Sequence, residues 1–301
     1  MPQVTCFFLR LFSVRFVLLL GLGASSELCA TQFLTDLEYG RVGDVSLKLD
    51  AFVPDGDGPF PIAILVHGGG WSGGDKAGSE NPGSGNDITP WFAPLRAAGF
   101  AYFSINYRHA PAYRWPACFE DVQTAIRWVK THAVRFKGDP QRIALFGHSA
   151  GGQLVCLAAI RADDETRVQA VVGFAAVTDF AADVATRGGL STSLQQLFAQ
   201  PKEPTPESMA LLRQYSPLQQ LKPGLPPFLL LHGDADPTVP IQQSLAFQQQ
   251  LRTLGVACDL IVIPGAPHKL VGWEQFDPAY PDRMIAWLRN TLGKRRPALS
   301  R

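Results

Sequence analysis

The chain has 301 residues, with 27 Lys and Arg against 26 Asp and Glu, and 46% of its side chains are apolar. A net charge of +1 leaves no basic footprint for wrapping nucleic acid, and so high an apolar content excludes a wholly disordered chain. Five cysteines are too few for a disulfide scaffold of this size, and the length suits one large α/β domain or two small ones.

Residues 1–30 differ in character from the remainder of the chain. Arg10 and Arg15 precede the apolar run Phe16 to Ala24, and Ser25 and Ser26 come next. About nine apolar residues fit the core of a secretory signal peptide and fall well short of the roughly 20 that a spanning helix needs. Residues 1–30 are therefore read as a signal peptide, and the protein as secreted or periplasmic with no stable membrane partner. A retained anchor is the competing reading. A lipid-modified Cys29 is a second, but Glu27 and Leu28 are poor residues before such a site. The mature chain keeps Cys118, Cys156 and Cys258, an odd number that defines no disulfide framework.

With no repeat, sustained heptad or long Ser/Gly linker, residues 31–301 are read as a single catalytic domain. Val45, Leu47, Leu49, Ala51 and Val53 alternate as a strand with one buried face does. Continuous apolar runs come next at 62–66, 100–105, 143–146, 168–175, 228–231 and 260–263, the pattern of strands buried on both faces. Helical spacing appears at Phe119, Val122, Ile126 and Val129, from Ala150 to Ala158, from Ile241 to Leu254 and from Pro281 to Leu292. This alternation predicts an α/β fold, a mostly parallel sheet with helices on both faces, in which chemistry gathers just beyond the carboxyl ends of the strands.

Those ends carry distinctive sequences. Gly147-His148-Ser149-Ala150-Gly151 lies between a buried strand and a buried helix, the context in which a tight turn exposes a nucleophilic serine. A serine hydroxyl needs a base to take its proton and a carboxylate to orient that base. Asp236 and His268 come later in the chain in that fold's order, each in a loop after a predicted strand. Asp236 is preferred to Asp234 because it reaches further beyond the strand end, leaving Asp234 to stabilise the turn. The glycine run after His67 lets backbone amides converge on an oxyanion, so Gly69, Gly70 and Ala150 are assigned to that hole and His67 to bracing the loop. Gly68, Gly70 and Gly73 also satisfy a dinucleotide fingerprint, but a polar loop stands where that fingerprint requires a helix. Scattered histidines and unpaired cysteines give no metal-binding spacing.

Together with Asn106-Tyr107-Arg108 and Asp139 to Ile143, these motifs make the chain resemble α/β-hydrolases of the HGGG-bearing serine esterase group. It is similar to hormone-sensitive-lipase-like carboxylesterases, and closer to the feruloyl and acetyl-xylan esterase-like branch. The resemblance implies an α/β-hydrolase fold with an eight-stranded, mostly parallel sheet and a serine carboxylesterase without a cofactor. It also implies a helical cap before the first strand, for which this sequence leaves only residues 31–35 or so, so no large N-terminal cap is expected. Loops 72–89 and 183–212 are the remaining candidates to cover the site, and surface disorder is the competing reading of both. Trp71, Trp115 and Trp273, with Phe92 and Tyr113, lie near predicted strand ends as candidates to line a substrate pocket, and core or rim packing is the competing reading of each.

The expected activity is hydrolysis, through an acyl-enzyme, of short-acyl or accessible aromatic and acetyl esters, either small molecules or groups on a polysaccharide. Two other readings stay open: an amide or peptide hydrolase on the same triad, such as an arylformamidase or exopeptidase, and a non-catalytic binding protein on a hydrolase scaffold. Oligomeric state is not legible.

Overall fold

The computed structural model describes Met1 and residues 32–78 and 88–293. The rest of the expected signal peptide, residues 79–87 of the first candidate covering loop and residues 294–301 lie outside the described residues.

Among these residues, β1 (Gln32–Val42), β2 (Val45–Val53), β3 (Phe60–Val66), β4 (Ala101–Ile105), β5 (Gly138–His148), β6 (Ala170–Phe174), β7 (Phe228–Gly233) and β8 (Cys258–Ile263) form one sheet. Its order is β1-β2-β4-β3-β5-β6-β7-β8. β2 runs antiparallel to β1 and β4, and every other pair is parallel. The eight-stranded α/β-hydrolase sheet is therefore present. β1 was absent from the strands expected from periodicity, for a physical reason. Of its residues only Tyr39 is buried, so it carries no apolar alternation and is held by backbone pairing to β2 across two register shifts.

Helices α1 (Phe92–Ala97), α2 (Ala117–His132), α3 (Ala150–Ile160), α4 (Phe180–Arg187), α5 (Thr192–Phe198), α6 (Pro206–Tyr215), α7 (Gln242–Thr253), α8 (Trp273–Phe276) and α9 (Tyr280–Leu292) complete the fold. Because side chains alternate along a strand, β3 sends Ile62, Ile64 and Val66 into one core with α2, α3 and α7. Ala63 and Leu65 enter a second core with α1 and α9. α2 buries Cys118, Val122, Ala125, Ile126 and Val129, a stripe at the spacing its sequence predicts. α3 is buried on all sides, as a central helix must be if it succeeds the middle strand of the sheet.

The stretch 183–212 is a correction to the expectation of a loop. It is built of most of α4, all of α5, most of α6 and the two short connections between them, a stretch that leaves the sheet after β6 and returns to it at β7. Each helix starts on a side-chain cap: Asp179 accepts from Ala181 and Ala182, Ser191 from Leu194, and Thr205 forms a reciprocal box with Ser208. Gly188 ends α4 in the left-handed region. Leu190, Leu194, Leu197 and Phe198 then bury this layer against the α2–α3 core.

Candidate active site

At the carboxyl end of β5 the chain turns into α3 with Ser149 at φ 55° and ψ −116°, a conformation that non-glycine residues rarely adopt. The turn is held by Ser149 N–H donating to Phe174 O at 2.9 Å and by Gln153 N–H donating to Ser149 O at 3.0 Å. The glycines either side have a steric cause. A Cβ on Gly147 would meet the Gly151 carbonyl, and one on Gly151 would meet the carbonyls of Val66 and His67. The serine is 9% exposed at the N-terminus of α3, where free amides and the positive end of the helix dipole favour developing negative charge.

Asp236 and His268, far apart in sequence, meet beyond β7 and β8. His268 Nδ1 donates to Asp236 Oδ2 at 2.7 Å, because a carboxylate can only accept. That tautomer leaves Nε2 with a lone pair. The Asp236 side chain is fully buried, its Oδ1 accepts from Thr238 and Val239, and His232 Nε2 lies 3.4 Å from its Oδ2. Burial works to raise its pKa, but hydrogen bonding from His232 and His268 outweighs this and holds the carboxyl well below the usual range. Asp234 instead accepts from Gly265 N–H at 2.6 Å, tying together the loops after β7 and β8. His148 Nε2 donates to the His268 carbonyl at 2.9 Å, which brings the His268 loop to the residue next to Ser149.

On the other side of the elbow, Gly69 and Gly70 take φ 115° and 59°, open to glycine and strained for other residues. The N–H groups of Gly69, Gly70 and Ala150 donate to no acceptor among the described residues. His67 Nδ1 donates to Gly68 O at 2.7 Å, and its ring stacks on Tyr107 with centroids 4.5 Å apart. Tyr107 OH in turn donates to His67 O at 3.1 Å. Burial pushes the His67 imidazole down to about 4, so near neutral pH it is an uncharged brace beneath the loop.

The three tryptophans fare differently from one another. Trp273 takes the core-packing alternative: with 0% exposure it lies in the second core against Phe174 and Tyr280. Its Nε1 donates to Pro267 O at 2.9 Å, so it steadies the loop that carries His268. Trp71 is also buried, edge-on to Phe180, with Nε1 donating to Gln153 Oε1 at 3.1 Å. Trp115 is half-buried in an aromatic cluster with Phe119, Phe198 and Tyr215.

Two residues escaped the sequence reading. Gln153 is the single polar side chain in the buried helix AGGQLVCLAAI, a signal that was present. It accepts from Trp71 and donates to Tyr215 O, so it joins the glycine loop after β3 to α6. Ser193 on α5 carried no signal. Its Oγ lies against Gly70, where an added Cβ would meet it at 2.5 Å. Among the described residues no His, Cys, Asp and Glu cluster could hold a metal ion. Cys118, Cys156 and Cys258 are free and buried, and burial raises all three thiols, Cys118 and Cys258 to about 12.

Residues 49–251 match the BD-FAE family, a stretch that includes Ser149 and Asp236 and ends before His268. Over 268 residues the chain is 34% identical to the probable carboxylic ester hydrolase LipM of Mycobacterium tuberculosis, covering 80% of this chain and 60% of that protein. Over 236 residues it is 34% identical to esterase LipC of the same organism, covering 73% and 55%. The chain thus spans little more than half the length of the curated relatives it matches. Among solved structures it is similar to a truncated carbohydrate esterase from gut microbiota, with a TM-score of 0.71 at 26% identity over 89% of this chain and 99% of that one.

Proposed function

The chain belongs to the BD-FAE family, and from that premise we propose that it is a serine carboxylic ester hydrolase acting through an acyl-enzyme. One observation carries the reading: the 2.7 Å bond from His268 Nδ1 to Asp236, in a loop tied to the Ser149 elbow, leaves Nε2 as the base. Ser149 Oγ attacks the ester carbonyl and its proton passes to His268 Nε2. The tetrahedral oxyanion takes hydrogen bonds from the N–H groups of Gly69, Gly70 and Ala150. His268 returns the proton to the leaving oxygen, the alcohol departs, and water repeats the sequence to free Ser149 and the acid. Asp236 stays ionised throughout, orienting the imidazole and stabilising it when charged.

Its substrates are short-acyl esters or accessible acetyl and aromatic esters, including those on polysaccharide. Two observations support this: Ser193 and α5 crowd the oxyanion loop, and a structural neighbour is a carbohydrate esterase. The protein is exported and its signal peptide removed; the mass of the exported chain measures the cleavage. To test the activity, the mature protein is treated with an organophosphonate and then offered matched p-nitrophenyl esters and anilides. One phosphonate on the peptide containing Ser149, with acetyl or butyryl esters turned over faster than octanoyl, is expected. Faster anilide hydrolysis would make it an amide hydrolase. No label on folded protein would make it a binding protein.

A further inference from the structure

The elbow contains one side chain that the acyl-transfer steps do not use. His148 ends β5 directly before Ser149, its ring is fully buried, and its centroid lies 4.7 Å from that of His268. A carbonyl oxygen only accepts, so the 2.9 Å contact to His268 O identifies Nε2 as the protonated nitrogen of His148. Its Nδ1 is then bare, and it is buried without a hydrogen-bond partner. That atom faces the oxyanion loop: a Cβ on Gly68 would lie 2.8 Å from His148 Nδ1 and 3.3 Å from Ser149 Cβ. Burial first, and the nearby His268 second, push the His148 imidazole down to about 3, so it keeps this neutral tautomer wherever the base works. At His268 the hydrogen bonds formed among the described residues are two, Nδ1 to Asp236 and the carbonyl to His148.

We propose that His148 is a positioning residue, whose Nε2–H anchors the His268 backbone to the nucleophile elbow so that the imidazole, pinned at Nδ1 by Asp236, presents Nε2 to Ser149. The inference rests on the ester hydrolase reading. Two bonds fix the base from opposite ends: Asp236 sets the rotation of the ring, and His148 sets the height of the loop above the serine. Because the His148 ring also fills the space beneath Gly68, one side chain holds the relative placement of nucleophile, base and oxyanion loop. Loss of its N–H lets the base drift while the ester-binding surfaces stay. Rate falls, and substrate affinity does not.

The test compares His148→Phe, which keeps a ring but lacks the N–H, with His148→Gln, whose amide nitrogen reaches about as far as Nε2. Steady-state hydrolysis of p-nitrophenyl butyrate is combined with proton NMR of the far-downfield signal from the Asp236–His268 hydrogen bond. A misplacement of about 1 Å costs on the order of 100-fold, so kcat of the phenylalanine variant is expected to fall about 30- to 100-fold with KM within about twofold. The glutamine variant is expected to regain most of that loss, and the downfield signal to broaden in the first variant and return in the second. If the phenylalanine variant does not fold, His148→Asn, whose amide stops short of the carbonyl, replaces it with the same expected loss. Full kcat without the N–H, equal deficits in the ring and amide variants, or an unchanged downfield signal would each overturn the proposal. A wild-type protein that neither hydrolyses ester nor takes up phosphonate would instead overturn the esterase reading, and the NMR comparison would still decide whether His148 positions His268.

Discussion

Asp236 is buried and yet held in its ionised form, because every partner around its carboxylate is a donor or a histidine. Replacing it with Asn keeps the shape and removes the charge. An amide also offers an N–H where His268 needs an acceptor, which favours the wrong tautomer. Asp236→Asn is expected to lower kcat on p-nitrophenyl butyrate by about three orders of magnitude, with the protein still folded by circular dichroism. A loss under about tenfold would remove Asp236 from the role of orienting acid. The meeting of Asp236 with His268, in a loop tied to the Ser149 elbow, was legible from residue type, chain order and position after strands. Pocket-lining aromatics were not, because an aromatic near a strand end carries no record of the face it turns to. Trp273 turned to the second core, and Trp71 turned inward to Gln153.

The glycine loop after β3, which carries the proposed oxyanion donors, depends on its neighbours for its shape. Trp71 holds φ 57°, a strained value for a tryptophan, and its indole is tied to α3 through Gln153, which also reaches α6 through Tyr215 O. Gln153→Leu would leave the Trp71 Nε1 and the Tyr215 carbonyl without partners, a cost of about 1–3 kcal/mol for each buried group. The expected result is a urea midpoint shifted to lower concentration together with a kcat reduced about tenfold or more, as Gly70 loses its support. Stability lost with kcat unchanged would mean that Gln153 braces the fold and not the loop. The buried parallel strands and α2, α3, α7 and α9 were readable because burial on one or both faces writes a period into the sequence. β1, mostly exposed, wrote none. α4 to α6 are short, so their periods span two or three turns and the turn residues between them dominate the pattern.

Acid sensitivity is built into the molecule by its buried histidines. Burial holds His67 down to about 4 and His148 down to about 3, against an ordinary value of 6.5. Below about pH 6.5 the unfolded chain therefore binds protons that the folded protein refuses, so stability rises with pH and is lost as pH falls. For His67 alone the loss on going to about pH 4 is on the order of 3 kcal/mol. Asp236, with its pKa depressed, stabilises the fold above the ordinary carboxylate range and loses that contribution only in stronger acid. Urea unfolding at a series of pH values should give a free energy that declines from about pH 6.5 downward. A value level down to about pH 4.5 would contradict the burial of neutral imidazoles. The whole architecture, in which the parallel strands β5, β7 and β8 share one carboxyl end of the sheet and deliver Ser149, Asp236 and His268 there, arises from parallel strands joined by covering helices.

Serine acyl transfer is tested most directly by the hydrolysis of p-nitrophenyl butyrate by the wild-type protein and by Ser149→Ala, measured side by side on folded samples. A wild-type rate that falls by about three or more orders of magnitude in the alanine variant is the expected result. Equal rates in the two proteins would contradict a reaction that passes through Ser149.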